Sequence, residues 1–443
     1  MRKASFRGLI ILMILTIGIG FYLRSVSAFG TRVVHPFSND ARDYYMYAYN
    51  LRYKQTYSRD ISSLADIKQP VTPDAVRSPG YPLFLSIFAD GPPAHRTVAK
   101  IVFAQMILST LVLVLAFCLY NHFLSGYWSI AALLLTALSP HLIVANSYIL
   151  TETLFCMVLV LGALQLSKFF MRPSRFQAAA GGLVLGAASL IRPGLQYFPL
   201  VFAGILIGHY GMRKGLNFAA VLLLAYLSIL SPWIIRNLTT LHLISDDTLK
   251  INFLHHGMYP EFKFEGIDES YKFPYRYDPR ANEISKSTAS VLYEIARRFR
   301  QEPMRHLKWY IIGKPDTFWS WNTVQGIGDA FFYRVYQTPY RSNMFFKLTH
   351  RLMYHLHWPL VFLGAIGCFL SWLPSLKGLF SEQSIQAARV ISALILYFTA
   401  IHMIGAPFPR YSIPLRPFLY GMAIFCLLIF YTAYTVRKAN KGY

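Results

Sequence analysis

Acidic residues are scarce in this chain. Of 443 residues only 20 are Asp or Glu, against 43 Lys and Arg, and charged residues of both signs make up just 14%. Soluble domains carry about 25% charged residues, so a water-solvated globular fold is excluded and a membrane protein indicated. Cysteine is also scarce. Cys118, Cys156, Cys368 and Cys426 all lie inside apolar runs, which argues against disulfides and metal clusters and for small buried hydrophobes. No phosphate-binding GxxxxGK loop and no GxGxxG, HExxH or GxSxG string occurs, so nothing supports soluble-cofactor chemistry. The adjacent His255 and His256 point apart in regular structure and have no matching acidic cluster, so no metal site is expected there. Internal repeats, low-complexity tracts and a separate soluble domain are missing as well.

What is abundant is apolar chain, 55% of the residues. A span needs about 20 apolar residues, and candidate spans fall at 8–24, 101–120, 128–147, 150–167, 177–191, 194–210, 217–235, 353–373, 388–406 and 416–435. The first run follows Met1-Arg2-Lys3 and has signal-peptide length, but Ser25 to Phe29 is only a loose cleavage site, so it reads as an uncleaved first helix. Short basic segments alternate with the spans: Arg2, Lys3 and Arg7; Lys168, Arg172 and Arg175; Arg213 and Lys214; Arg437, Lys438 and Lys441. Positive-inside logic places all of them, and both termini, in the cytoplasm. The expected fold is an all-α polytopic membrane protein of about ten transmembrane helices, a single integral membrane domain over residues 1–443. Two long loops then fall outside, residues 25–100 and 236–352. Their basic residues suit a phosphate-bearing lipid or another anionic headgroup. No basic stretch leaves the membrane far enough to track a nucleic acid duplex.

The first loop carries NDARDYYMYAYNL and then RSPGYPLF. Asp40, Tyr44, Tyr47, Ala48 and Leu51 share one helical face, which predicts a helix along the membrane surface with tyrosines at headgroup level. Asp40 and Asp43, at i and i+3, point to nearly the same side. They are a general base with an orienting carboxylate, or Asn39 or Asp40 is simply a helix cap. In the second loop, Ile284 to Phe299 has the apolar spacing of an interfacial helix with basic residues opposite, and Trp309, Phe318, Trp319 and Trp321 add an aromatic belt.

Glu152 opens a span in NSYILTETLF. A carboxylate there is costly unless paired or wet, although an acid in the first turn behind Thr151 also suits the helix dipole. Arg192 in SLIRPG and Arg236 in SPWIIRN end apolar spans, where each can bind a phosphate oxygen or snorkel to the interface. In PFPRYSIPLRP, Arg410 and Tyr411 lie among Pro407, Pro409, Pro414 and Pro417, which forbid a continuous helix. Non-helical backbone at membrane depth is tolerated where it is buried in protein or lines a cavity, and a cation held there suits a lipid phosphate.

Taken in order along nearly the whole chain, these strings, with GLVLGAASLIRPG and the Gln105 region of the second span, resemble the GT-C superfamily of membrane glycosyltransferases. The nearest branch is that of the protein O-mannosyltransferases and lipid A aminoarabinose transferases. The resemblance implies an inverting transfer of a sugar from a polyprenyl-phosphate donor to a lipid, glycan or protein acceptor. Asp40 matches the catalytic base, Glu152 the glutamate that begins the fourth span, and Arg410 and Tyr411 the Arg-Tyr pair before the last span. Arg192 and Arg236 would assist at the phosphate, and Tyr44, Arg77 and Tyr81 would belong to the substrate loop. The family's second acidic position falls at Ala41, which leaves open whether Asp43 substitutes. No cofactor is implied, and a divalent metal is not required. The chain ends soon after the last span, without a C-terminal soluble domain or a retention signal, so a bacterial inner membrane with a periplasmic active site is expected. A transporter for lipid-linked sugars and a non-catalytic scaffold of the same fold are the competing readings. Residues 250–345 match nothing in the family pattern and leave the acceptor open.

Overall fold

The computed structural model describes residues 3–324 and 326–440; Arg2 and Lys441, both used above for orientation, lie outside the described residues. Among the described residues a helix runs in each of the ten regions where hydropathy placed a span, and seven helices are long and apolar enough to cross a membrane. In chain order the helices that matter are α1 (Lys3–Gly30), α2 (Asp40–Lys54), α3 (Gly80–Ser86), α4 (His95–Tyr120), α5 (Tyr127–Leu138), α6 (Glu152–Met171) and α7 (Arg175–Ile191). They continue as α8 (Phe198–Tyr210), α9 (Met212–Leu241), α10 (Thr248–Gly257), α11 (Thr288–Gln301), α12 (Met344–Leu370), α13 (Glu382–Ile404) and α14 (Arg416–Asn440).

The three short members are α5, α7 and α8, and for α5 and α8 the cause is local. The expected span 128–147 breaks at Ser139, because Pro140 cannot continue α5 and instead opens a six-residue helix at Pro140–Ala145. Residues 194–210 yield a helix only from Phe198, since Pro193–Leu195 forms a 3-10 turn.

The helices pack as a connected bundle. α6 lies against α4, α7 and α13, while α9 runs along α7 and α8, and α12 runs along α14. The α7–α9 crossing is close because Gly182 faces the carbonyl oxygen of Leu222, where a Cβ would collide with backbone. Small residues permit such approach where lipid supplies no hydrophobic drive between helices. Between α1, α4 and α5 the fully buried Arg24 donates to the carbonyls of Ser109, Gly20, Ala137 and Thr136 and to Ser109 Oγ. A cation in the bundle interior is thereby satisfied without an acid.

Three further expectations are corrected. The tyrosines of α2 are not at a lipid headgroup surface: Tyr44, Tyr45, Tyr47 and Tyr49 are buried in protein. The helix expected over 284–299 begins at Thr288, capped by the Ser287 hydroxyl, and turns Val291 and Glu294 inward while Leu292 and Ala296 stay exposed. Of the four cysteines, Cys118 is exposed and the other three are buried, all with free thiols.

The two long loops meet. Strand β1 (Arg32–Val33) pairs antiparallel with β2 (Val335–Gln337), tying the start of the first loop to the end of the second.

Candidate active site

The site is built at helix ends. Asp40 is the first residue of α2, Glu152 the first of α6, and Arg192 follows the last residue of α7. Arg410 lies on the 3-10 helix Pro409–Leu415, which runs directly into α14, so the backbone expected to be non-helical is instead a tightened helix. Arg77 precedes α3, whose position depends on Gly80: a Cβ there would stand 2.8 Å from the backbone of Leu190 at the end of α7.

These side chains form one chain of alternating charge. Asp43 Oδ2 lies 3.3 Å from Arg77 Nη2, and the same nitrogen lies 2.7 Å from Asp40 Oδ1. The other Asp40 oxygen pairs with Arg410 Nη2 at 3.0 Å. Arg410 Nε donates to Glu152 Oε1 at 2.9 Å, and Arg192 Nη2 reaches that oxygen at 2.5 Å. Glu152 is 1% exposed, Arg410 11% and Asp40 26%, so the network runs from a closed end at Glu152 to an open end at Asp40. Buried charges are tolerated only when paired and hydrogen-bonded. Glu152 is the deepest acid and serves two arginines, while its Oε2 has no hydrogen-bond partner among the described residues.

The capping alternatives do not describe these carboxylates. Asn39 takes a positive φ of 49° and makes no side-chain cap to α2, and Asp40 spends both oxygens on arginines. Thr151 makes no cap to α6 either; its hydroxyl accepts from Arg192 Nε at 2.8 Å. Arg192 therefore turns inward, with its guanidinium over the Tyr411 ring at 5.2 Å. Tyr411 also lies under Arg410, at 5.6 Å.

Electrostatics fix the state of Asp40. Burial raises its carboxyl, but Arg410 and Arg77 together outweigh burial and hold it below the usual carboxylate range. It is a carboxylate at neutral pH. Burial pushes the neighbouring Tyr44 phenol up to about 12, and that ring meets Tyr81 edge-on at 5.2 Å.

Two residues from the sequence reading stand apart from this network. Tyr81 donates to Gln105 Oε1 at 2.8 Å, and Gln105 donates on to the carbonyls of Asn146 and Tyr148, so it braces the first loop against α4. Arg236 donates to the carbonyls of Asp74 and Tyr57 and stacks on Tyr57 and Trp233. Its guanidinium clamps the first loop to the end of α9 and does not reach Arg410.

The structure adds residues that sequence reasoning missed. A small pocket of about 20 Å³, room for about one water, opens beside Arg410, walled by Thr323, Val324, Gly326, Phe332, Tyr333, Phe408 and Pro409. With Arg410 the lining residues number eight, and five of them sit in the 250–345 stretch that matched nothing; no local signal in AFFYRVY separates a site wall from ordinary aromatic packing. His255, read as unaccompanied by acids, shares a hydrogen bond with Tyr259, whose hydroxyl donates to Asp278. No group of three or more His, Cys, Asp or Glu among the described residues is arranged to hold a metal ion.

No family model matches the chain, and no curated protein matches it. Solved structures do. The archaeal oligosaccharyltransferase AglB from Archaeoglobus fulgidus, in complex with an inhibitory peptide and a dolichol-phosphate, aligns with a TM-score of 0.54 at 12% identity over all of this chain and 52% of its own. The Archaeoglobus fulgidus oligosaccharyltransferase tethered to an acceptor peptide aligns with a TM-score of 0.52 at 12% identity, over 95% of this chain and 49% of its own. Its apo form gives 0.52 at 13% identity, over 98% and 52%. The chain thus spans about half the length of the enzymes it resembles. At such identities the likeness establishes the fold alone, an all-α polytopic membrane architecture shared with these oligosaccharyltransferases.

Proposed function

We propose that this chain is an inverting glycosyltransferase that moves a sugar from a polyprenyl-phosphate donor to an acceptor. The observation that carries the reading is the unbroken ion-pair chain from Asp43 to Arg192, which sets a carboxylate against a buried arginine beside a pocket. The similar fold of an oligosaccharyltransferase solved with a dolichol-phosphate supports a lipid-linked donor.

The roles follow from the contacts. Arg410 and Arg192 would take the donor phosphate, each with a planar fork suited to its oxygens. Asp40 would accept the proton of the acceptor hydroxyl or amine as that atom attacks the anomeric carbon. The bond to the phosphate oxygen breaks on the opposite face, its electron pair leaves with the phosphate, and the arginines stabilise the developing charge. Asp43 orients the base through Arg77.

A carboxylate clamped by two arginines is a weak base. A phosphate that draws Arg410 away from Asp40 removes one of the two interactions that depress its pKa, so donor binding raises basicity where it is needed. Chemistry is thereby coupled to donor occupancy.

Chain direction supports an outer-face site. α1, α7 and α14 have basic residues at the ends opposite the network: Arg7, Arg175 and Arg437 with Lys438. α6 has Lys168 at the end opposite Glu152. With those ends cytoplasmic, the site faces the periplasm of a bacterial inner membrane, and residues 1–443 act as one integral membrane domain.

The test is sugar transfer by purified protein, with a panel of polyprenyl-phosphate sugars and crude cell-envelope acceptor, comparing wild type with Asp40→Asn. Transfer lost in the variant supports the reading. Turnover untouched by the variant removes Asp40 as base, and no turnover with any donor in folded protein overturns the transferase.

A further inference from the structure

The chain that follows α11 is turned inside out. Pro303–Lys308, Trp309–Gly313 and Lys314–Phe318 run as one continuous helix with a π-helical turn in its middle. Its outward residues are Met304, Leu307, Ile311 and Ile312, which are 75%, 45%, 56% and 62% exposed. The opposite face carries His306, Trp309 and Lys314, at 5%, 4% and 0%. A lone exposed leucine is ordinary, but a buried amine opposite an exposed apolar face is not. In water both halves of this pattern are unfavourable. Burying one Leu, Ile or Met side chain is worth about 1.5–3 kcal/mol, and the amine has given up its hydration. Against hydrocarbon the same outward face is in its proper solvent.

Lys314 fixes where on the molecule that face lies. Its Nζ donates to the Ile404 carbonyl at 3.1 Å and stands 3.3 Å from the centre of the Tyr310 ring. Ile404 is the last residue of α13, a helix long and apolar enough to cross a membrane. Its side chain is 58% exposed, and Leu396 on the same helix is 50% exposed, as lipid-facing residues of a span are. Ile311 and Ile312 lie within one turn of Lys314, hence beside the last turn of α13. The apolar face therefore continues the lipid-facing surface of a span.

Polar groups surround the face in the order that a bilayer surface would ask for. Arg300, Arg305 and Lys308 are exposed beside it. Glu302 pairs with Arg305 at 2.7 Å, so Arg300 and Lys308 are the cations turned to a headgroup layer. Each is worth about 1 kcal/mol near an anionic surface. The inward face leads to the candidate site. Trp309 Nε1 donates to the Gly257 carbonyl at 2.9 Å, and its ring meets Phe262 at 5.9 Å. Phe408, two residues before Arg410, stacks on Phe262 at 5.0 Å.

We propose that Pro303–Gly313 lies in the bilayer surface at the end of the bundle that carries Arg410. Met304, Leu307, Ile311 and Ile312 enter the edge of the hydrocarbon, and Arg300 and Lys308 sit at headgroup level. The partner of this face is the lipid bilayer, and through Trp309 and Phe262 the contact sets the height of the Phe408–Arg410 turn above it. Lipid contact here is independent of the transferase reading.

The experiment places a nitroxide at Met304→Cys or Ile311→Cys in full-length protein carrying Cys118→Ser, which removes the exposed thiol and keeps the three buried ones. The protein is reconstituted in vesicles of equal parts phosphatidylcholine and phosphatidylglycerol. Leu396→Cys marks lipid, and Glu269→Cys, exposed in the second long loop, marks water. Spin relaxation is read with oxygen, which concentrates in hydrocarbon, and with a polar nickel chelate, which is excluded from it. Exclusion of a polar solute from hydrocarbon exceeds about tenfold, so the oxygen-to-nickel ratio at 304 and 311 is expected at least about tenfold above that at 269 and close to that at 396. Nickel contact at either position equal to that at 269 places the face in water and overturns the proposal. Poor contact with both reagents means that protein, a second copy or another segment, covers the face, and overturns it as well.

Discussion

Two acid–arginine clusters occupy this molecule, and they are built in opposite ways. The cluster on α11 is local: Glu294 takes Arg297 and Arg298 from its own helix, Arg280 from just before it, and Arg298 passes on to Asp278. Its arginines remain partly in water, with Arg280 41% and Arg297 36% exposed. The cluster around Asp40 draws on residues 40, 43, 77, 152, 192 and 410, which meet only when four helix ends and two loops have packed. Pairs at i, i+3 and i, i+4 come almost free with a helix. Pairs between distant helix ends must overcome desolvation and leave Glu152 Oε2 without a partner. A fold that needs only rigidity is served by the first arrangement; the second is worth its cost where charge is to act on something else.

The comparison can be broken experimentally, and the largest effect is expected at the base. Asp40→Asn should lower transfer by about 10²–10⁴-fold, the usual contribution of a positioned general base, while Glu294→Gln leaves turnover intact; equal losses would erase the distinction. Next, Glu152→Gln strips Arg192 and Arg410 of their shared counter-charge. With Glu152 1% exposed, removing it should cost about 3–5 kcal/mol, the usual range for one partner of a buried pair. Thermal unfolding in detergent reads this directly. Gly80→Ala forces a Cβ to within 2.8 Å of the Leu190 backbone and should cost about 1–3 kcal/mol, with activity falling as Arg77 shifts. Glu294→Gln should cost less than about 2 kcal/mol although Glu294 is as buried as Glu152, because Arg280 and Arg297 can turn to water.

The pH response sharpens the same contrast. Asp40 has a folded-state pKa below its unfolded value, so its stabilising contribution is present above the ordinary carboxylate range and is lost as pH falls through the depressed value. The gap in melting temperature between wild type and Asp40→Asn should therefore hold from pH 8 to 5 and close only below about pH 4. A gap already closed at pH 6 would contradict the double clamp by Arg77 and Arg410.

The two clusters also differ in how far they can be read from sequence. Glu152 and Arg192 are legible as costly charges at the ends of apolar runs, because hydropathy fixes where spans stop; Asp40 and Asp43 are legible from their shared helical face, Arg410 from the prolines around it, and Arg77 only through the family resemblance. Their alternation was not legible, since no spacing rule links position 40 to 410. Arg236 sits at a span end just as Arg192 does, and only the packing reveals that the Asp74 and Tyr57 carbonyls consume its donors. The α11 face was misjudged for the converse reason: its apolar periodicity is real, but Glu294, flanked by arginines at i+3 and i+4, goes inward and Leu292 outward. The tyrosines of α2 look amphipathic and are buried because α3 and the rest of the first loop cover them: Tyr44 meets Tyr81, Tyr45 meets Phe37 and Tyr47 stacks on Tyr57. Local pattern sets the existence of these elements, and long-range packing decides which side is covered.

The alternating chain has a consequence for admission. Three acids and three arginines cancel, so an arriving anion meets no surplus of positive charge, and it gains an arginine only by displacing a carboxylate already bound to it. Inorganic phosphate has little beyond Coulomb attraction to set against that displacement. A phosphate carried on a long isoprenoid adds the favourable burial of its hydrocarbon at about 0.8 kcal/mol per CH₂. Under the proposed function, the paired centre rejects simple anions by internal competition, and recognition of the headgroup is conditional on the tail.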